Sequence, residues 1–145
     1  MIWQNGDYRI DTDKDRLDRE VVYRYLAEES YWAKGRPREV QERGIENSLC
    51  FGVYHGDEQV GFARAISDQA VFAYLADVFI LPAYQGRGLG KWLMACIKAH
   101  PDLQGLRWWL LVTNDAHGLY AQFGFGPLSH PERFMEYRNP DVPQP

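Results

Sequence analysis

Several features are scarce or missing in this 145-residue sequence, and each absence excludes a class of protein. Only two cysteines occur, Cys50 and Cys96, and their apolar surroundings indicate buried thiols rather than a disulfide or a zinc site. No apolar stretch approaches about 18 residues, and the start lacks the charged and apolar regions of a signal peptide. The sequence has no long basic run and a net charge of −4. We therefore expect a cytoplasmic protein that binds no metal, no nucleic acid and no membrane.

The remaining composition is that of an ordinary globular protein, with 46% hydrophobic and 25% charged residues. A chain of this length suits one domain with one core, which we place at 1–138. The proline-rich tail at 139–145 is expected to be mobile. A homodimer is left open.

Hydrophobic periodicity predicts a mixed order of strands and helices. A first strand precedes a helix at 13–28, whose start is indicated by a capping-box pattern at Thr12 and Asp15. The near-continuous apolar character of 71–81 predicts a strand that is buried on both faces. The other predicted elements are a helix at 38–48, a β-hairpin of strands 49–54 and 59–66, a helix from Leu89 to about His100, a strand at 107–113, a short helix at 115–123 and a last strand at 133–138.

Three alternating glycines, Gly86, Gly88 and Gly90, lie between the end of a predicted strand and the start of a predicted helix. Such a turn presents free backbone N–H groups at the positive end of a helix dipole, which favours phosphate. The spacing does not fit the dinucleotide fingerprint G-x-G-x-x-G, and Trp92 stands where a nucleoside-triphosphate loop needs Ser or Thr. The pattern [QR]-x-x-G-x-[GA] is satisfied by Gln85, Gly88 and Gly90.

This pattern resembles the pyrophosphate-binding turn of the GNAT superfamily of acyl-CoA-dependent N-acetyltransferases. The following helix and strand, and then "HGLYAQFGF" at 117–125, match the order of that superfamily's second half. The resemblance covers 71–126 in its motifs and nearly the whole chain in its topology. It implies an α/β (α+β) fold with a central mixed, mostly antiparallel, splayed sheet of six to seven strands flanked by about four helices.

The resemblance also implies a function. Acetyl-CoA would be the cosubstrate, and its acetyl group would pass to a primary amine of a small-molecule acceptor by direct attack in a ternary complex. Two strands of the family fold splay apart, and the pantetheine arm lies between them. In this sequence the resemblance assigns pantetheine to the backbone of Val78, Phe79 and Ile80. It assigns the pyrophosphate turn to Gln85, Gly86, Arg87, Gly88, Leu89, Gly90 and Lys91. Thr113 or Asn114 takes the place of an asparagine that contacts the cofactor in many members.

Tyr120 matches the family's usual general acid, which protonates the departing thiolate; its alternative role is core packing. The base is left open. Asp77 is a carboxylate in an apolar strand and must be compensated, so it either binds the acceptor ammonium, relays its proton through water, or ties a neighbouring loop. His117 and bulk water are the alternatives. A catalytically silent acyl-CoA-binding module is the alternative function, and Tyr120 argues against it.

The acceptor site of this fold is expected at the loop between the first two helices, here "EESYWAKGRPRE" at 28–39. Tyr31 and Trp32 are candidates for an aromatic wall, and Glu29 is a candidate for attracting an ammonium group. The basic residues of the same loop, Lys34 and Arg36 among them, would instead suit an acceptor with a carboxylate. The sequence leaves this choice open.

Overall fold

The computed structural model describes residues 1–145 and has one six-stranded sheet in the order β1-β2-β3-β4-β5-β6. Each of the first four strands pairs antiparallel with the next, and β5 pairs parallel with β6. This confirms the predicted mixed, mostly antiparallel α/β fold. The strands are β1 Ile2–Asn5, β2 Tyr8–Asp11, β3 Leu49–His55, β4 Glu58–Ser67, β5 Phe72–Ile80 and β6 Trp108–Leu110.

Four α-helices flank the sheet. The predicted helix at 13–28 is wrong at its start, because Asp18, not Thr12, caps the helix by accepting a bond from the N–H of Val21. Residues Lys14–Arg16 form a separate 3₁₀ turn, and the helix ends in a π-helical turn, Tyr25–Glu29. The helices are α1 Arg19–Arg24, α2 Arg38–Glu46, α3 Leu89–Ala99 and α4 His117–Ala121. None has the length and hydropathy that a membrane-spanning helix requires.

Apolar side chains pack on both faces of the sheet. On one face, α3 contributes Leu93, Met94 and Ile97 to a cluster with Phe51 of β3. On the other face, a smaller cluster joins the first two helices to Phe62 and Phe79. The central strands β3 and β4 are therefore buried from both sides, and this rigid support carries β5 at the edge where the site lies.

A β-bulge interrupts the pairing of β4 with β5. Arg64 pairs with Ala76 and Phe62 pairs with Phe79, so β5 has one extra residue in the interval. Asp77 lies in this interval and has a positive φ of 54°, which is uncommon for a residue other than glycine. The prediction that 71–81 is buried on both faces is wrong, because only alternate residues of β5 are fully buried. The other residues of β5 are half-buried along the whole strand.

The strands β5 and β6 separate after a short parallel contact. Their pairing covers only Phe72 with Trp108, Ala73 with Trp109 and Tyr74 with Leu110. Beyond Tyr74, the edge of β5 that faces β6 has no neighbouring strand. This is the splay that the family resemblance implies. β6 is accordingly shorter than the predicted strand at 107–113.

Two strand predictions differ from the structure at the chain ends. The single N-terminal strand is a hairpin of β1 and β2, which turns at Gly6 with a φ of 58°. The predicted strand at 133–138 is absent, and Met135 is 98% exposed. Phe134 and Tyr137 have strand propensity, but the segment has no ladder partner, and a strand is not stable without one. Residues 139–145 contain no helix or strand.

Candidate active site

The glycine turn, residues 85–91, joins β5 to α3. Gly86 and Gly88 have φ angles of 79° and 80°, which favour glycine, and Gly88 is the N-cap of α3 without a side-chain cap bond. Gly90 lies inside the helix and has no positive φ, and a Cβ there would only reach ordinary contact with Leu119 at 3.8 Å. Two of the three glycines are therefore required by the backbone conformation.

The backbone N–H groups of the turn have no acceptors. From Gly86 to Lys91, none of the six consecutive N–H groups donates a hydrogen bond to another part of the chain. Most of these residues are exposed, and the positive end of the α3 dipole adds to the local potential. This geometry fits an anionic group with several acceptor oxygens.

Neighbouring side chains hold the turn in place. Gln85 donates from Nε2 to the carbonyl oxygen of Ile80 at 3.0 Å, which fixes the turn to the end of β5. Arg87 donates to the hydroxyl of Tyr8 at 3.0 Å and lies over the ring of Tyr84. Lys91 is exposed on the first turn of α3. Arg87 is therefore an anchor of the turn, while Lys91 faces solvent.

A cleft of about 300 Å³ opens where β5 and β6 separate. We call it the splay cleft; its walls are the bulged part of β5, residues 111–116, the start of the loop after the π-helical turn, and α4. It brings together residues that are up to 89 positions apart in the sequence, from Tyr31 to Tyr120. Among the predicted site residues, those that line it are Tyr31, Trp32, Asp77, Val78, Thr113, Asn114 and Tyr120.

Other predicted residues lie outside the splay cleft. The side chain of Phe79 is buried against the first two helices, where its ring stacks on Tyr25 with centroids 4.1 Å apart. Glu29 is exposed and does not line the cleft. His117, an alternative base, lines a different cavity between β6, α4 and the C-terminal segment. Thr113 and Tyr120 also line that second cavity, so His117 lies near them but outside the splay cleft, and Glu29 lies outside both.

Asp77 has both carboxylate oxygens occupied. Oδ2 accepts bonds from Arg64 Nε at 2.6 Å and from Arg36 at 2.8 Å, and Oδ1 accepts from Trp32 Nε1 at 2.9 Å. Burial alone would raise the pKa of this carboxyl, but the bond from Arg36 and the two guanidinium charges outweigh burial and lower it. An ionised carboxylate with saturated oxygens is a poor base and a poor ammonium ligand. The geometry favours the third interpretation, in which Asp77 ties the loop at 32–36 to the bulge.

The two arginines of this group, together with Asp77 and Trp32, form what we call the Asp77 cluster. Arg36 also donates to Gln41, and Arg64 donates to the hydroxyl of Ser48 at 3.0 Å. The sequence reasoning missed Arg64. A signal was present, since an arginine within the predicted hairpin strand 59–66 needs a partner as much as Asp77 does.

Tyr120 is 8% exposed and lines the splay cleft. Burial, together with smaller contributions from the neighbouring Tyr31 and Asp115, raises its pKa to about 12. Its ring packs edge-on against Phe125, and its hydroxyl makes no hydrogen bond within the chain. Tyr120 is therefore protonated at neutral pH and lies beside the cleft, where packing against Phe125 fixes the position of its ring.

The loop before α4 forms the far wall of the cleft. The hydroxyl of Thr113 accepts a bond from the N–H of Ala116 at 3.2 Å, and the N–H of Asn114 donates to the hydroxyl of Tyr31 at 2.8 Å. The second bond connects this wall to the loop at 28–39 across the cleft. Asp115, which the sequence reasoning did not select, is an exposed carboxylate on this wall.

The chain matches a known family along more than half its length. The sequence model described as an acetyltransferase (GNAT) domain matches residues 46–127. A protein of Gibberella zeae named as an acetyltransferase is 32% identical over 142 residues, covering 83% of this chain and 79% of its own length.

Solved structures share the fold. An acetyltransferase of the GNAT family from Xanthomonas campestris pv. campestris is 47% identical with a TM-score of 0.91, covering 96% of this chain and 98% of its own. The N-acetylglutamate synthase of Neisseria gonorrhoeae, solved with coenzyme A and N-acetylglutamate, is 22% identical with a TM-score of 0.67. That similarity covers 89% of this chain and 30% of the synthase, and it shows the fold alone.

Proposed function

The chain belongs to the GNAT acetyltransferase family, and from that premise we propose that it transfers the acetyl group of acetyl-CoA to a primary amine of a small-molecule acceptor. The observation that carries the proposal is the run of six free N–H groups from Gly86 to Lys91. The run follows the end of β5, the strand whose bulged part forms one wall of the splay cleft. Such a run suits a pyrophosphate, and the cleft offers room for the thioester.

The remaining parts of acetyl-CoA have matching surfaces. The unpaired edge of β5 from Val78 to Ile80 would bind the pantetheine amides through its backbone, because β6 has already moved away. Thr113 is already engaged in the turn before α4, which leaves Asn114 as the better candidate for a polar contact with the cosubstrate. These contacts would direct the thioester towards Tyr120.

Direct transfer needs a deprotonated amine and a protonated leaving group. The amine nitrogen attacks the thioester carbonyl carbon, the carbon–sulfur bond breaks, and the CoA thiolate takes the proton of the Tyr120 hydroxyl. A backbone N–H of β5 at the splay would stabilise the carbonyl oxygen as negative charge develops. Tyr120 suits its role because its hydroxyl is protonated at neutral pH and lines the cleft. The amine nitrogen loses its second proton as the amide forms, and this proton passes through water to the Tyr120 phenolate.

The proton of the acceptor ammonium must leave before attack. Asp77 does not suit this step, because Arg36, Arg64 and Trp32 occupy its oxygens. Asp115 is the cleft carboxylate that has no ion-pair partner, and its charge reaches Tyr120. We assign to Asp115 the attraction of the ammonium, with water as the carrier of the proton.

Two measurements test the proposed function. Calorimetry with CoA tests the turn, and saturable binding is expected; absence of binding would contradict the proposal at its first step. A screen of amines and amino acids for acetyl-CoA-dependent release of CoA tests transfer. Binding of acetyl-CoA without release to any acceptor would favour the silent acyl-CoA-binding module instead.

A further inference from the structure

The Asp77 cluster carries more positive than negative charge. Two arginines, Arg36 and Arg64, share the single carboxylate of Asp77, and neither makes a salt bridge to any other group. Their side chains are only 22% and 14% exposed, so solvent screens the second charge poorly. The part of the splay cleft that Arg36 and Arg64 line therefore has one uncompensated guanidinium charge.

Both guanidinium groups also keep unused donors. Each guanidinium has five N–H bonds in a planar fork. Arg36 uses three of them, on Gln41 and on the two oxygens of Asp77, and Arg64 uses two, on Asp77 and Ser48. Two N–H bonds on Arg36 and three on Arg64 remain without an acceptor, and both side chains line the cleft. A half-buried cation with free donors favours an anion with acceptor oxygens.

We propose that the acceptor carries a carboxylate, and that Arg36 and Arg64 bind it. The proposal rests on the proposed function, since it concerns the acceptor of the same cleft. One uncompensated positive charge matches one negative charge, which favours a carboxylate over a dianionic phosphate. The planar fork of an arginine also suits the planar carboxylate.

The opposite wall of the cleft indicates where the amine of such an acceptor lies. Tyr120 and Asp115 belong to α4 and the loop before it, whereas Arg36 and Arg64 come from the loop at 28–39 and from β4. The cleft thus has a negative group on the wall near the catalytic tyrosine and a positive pair elsewhere on its surface. This polarity fits a small amino acid whose ammonium faces Asp115 and whose carboxylate faces the arginines.

The test compares acids with their amides, which differ only in the charge of one group. Wild-type protein saturated with CoA is titrated with a panel of N-acetyl-L-amino acids and with the corresponding N-acetyl-L-amino acid amides. These are products of the proposed reaction, so binding is measured without turnover. The best-binding acid is expected to bind about ten- to hundredfold more tightly than its amide, as for hydrogen bonds to charged groups.

Two variants test whether the arginines cause the preference for acids over amides. Arg36→Gln leaves Arg64 paired with Asp77, and Arg64→Gln leaves Arg36 paired with it, so each variant removes the uncompensated charge. Either change is expected to reduce the acid-over-amide ratio to within about threefold of unity. Arg43→Gln is the matched control, because Arg43 is an exposed arginine of α2 that does not line the cleft. It removes the same formal charge and should leave the ratio unchanged.

Three results would overturn the inference: amides that bind as tightly as acids, a preference that survives in both folded cleft variants, or no binding by any acid of the panel. If both variants fail to fold, the wild-type ratio still decides, and a ratio near unity overturns the inference. The proposed function has its own readout in the affinity for CoA. A protein that prefers acids but does not bind CoA would keep the anion site and lose the acetyltransferase proposal.

Discussion

The glycine turn follows the end of β5 and the Asp77 cluster lies at the bulge within it, and the two are built in contrasting ways. The turn consists of backbone, has six N–H groups without acceptors, and is mostly exposed. The cluster consists of side chains, is half-buried, and saturates the carboxylate of Asp77 with bonds from three residues. The turn is thus open to an anion, whereas Asp77 is already compensated by the protein itself.

The contrast distinguishes a polar group that needs a ligand from one that the protein itself compensates. A free backbone donor at a helix start indicates a ligand, because the chain provides no acceptor for it. A buried carboxylate indicates only that something compensates it, and here the compensation comes from Arg36, Arg64 and Trp32. Within the cluster, the unpaired charge and the unused hydrogen-bond donors belong to the two arginines. Four predictions test this division, in order of decreasing expected effect.

The largest effect is expected for Tyr120→Phe, which removes the proposed acid and keeps the ring. The value of kcat on an identified acceptor should fall about 10²–10⁴-fold under conditions where chemistry limits turnover. CoA affinity should stay the same, because the hydroxyl bonds no part of the turn. Tyr54→Phe is the control, since its hydroxyl is also buried and unpaired but lies in β3 away from the cleft. Full kcat in Tyr120→Phe would make Tyr120 a core residue only.

The second effect concerns Asp77→Asn, which should reduce stability rather than remove a base. Asn tolerates the positive φ, so the loss should come from two half-buried arginines without their carboxylate, at about 3 kcal/mol. Because folding lowers the pKa of Asp77, its stabilisation is present above its unfolded pKa and lost as pH falls through the folded pKa. The free energy of unfolding should therefore fall less steeply in the variant than in wild type below about pH 4.

Urea unfolding at several pH values measures this difference. Asp57→Asn, at the exposed turn between β3 and β4, is the control for removing a carboxylate without a cluster. A variant that keeps wild-type stability and CoA affinity but loses acceptor turnover would contradict the structural interpretation. It would restore Asp77 as a group that serves the acceptor.

The same contrast explains which parts were predictable from the sequence. The turn could be identified because its residues are contiguous from Gln85 to Lys91, and the strand and helix beside it follow from local periodicity. Tyr120 was likewise found through a contiguous motif. The Asp77 cluster joins positions 32, 36, 64 and 77, and no local pattern specifies that those side chains meet. Asp77 could be marked as needing a partner, but the partner itself depends on the tertiary fold.

The errors in the fold have similar causes. The capping-box pattern at Thr12 and Asp15 predicts the start of the first helix too early, because Asp18 makes the actual cap. The predicted strand at 133–138 has aromatic residues that favour a strand, but such propensity does not show whether a partner strand is present. The resemblance implies a bulge where the strands splay apart, but no glycine marks its position at Asp77, because bonds from three side chains hold the positive φ there.

The third prediction is that Gly88→Val weakens CoA binding about ten- to hundredfold, since a branched side chain would keep the pyrophosphate from charge-assisted bonds with the turn. Gly105→Val is a matched control for backbone strain. Gly105 also has a positive φ, 72° against 80° for Gly88, and a Cβ at either position meets no atom within 4 Å. Both variants should lose similar stability, while only Gly88→Val should lose CoA affinity in calorimetry. An equal affinity for CoA in the two folded variants would remove the turn as the binding site.

The smallest effect is expected for Lys91→Gln, because Lys91 is an exposed point charge beside donors that already hold the anion. An exposed charge near a helix N-terminus contributes about 0.3–1 kcal/mol, so CoA affinity should fall by a factor of about two to five. The difference should disappear at about 0.5 M salt, where screening reduces an exposed interaction but spares short backbone bonds. Calorimetry at low and high salt, with Arg43→Gln as the charge control, measures both quantities. The loss of CoA affinity could instead be as large as that of Gly88→Val, or persist at high salt. Either result would show that side-chain charge, and not the free backbone N–H groups, holds the pyrophosphate. The contrast between the two regions would then fail.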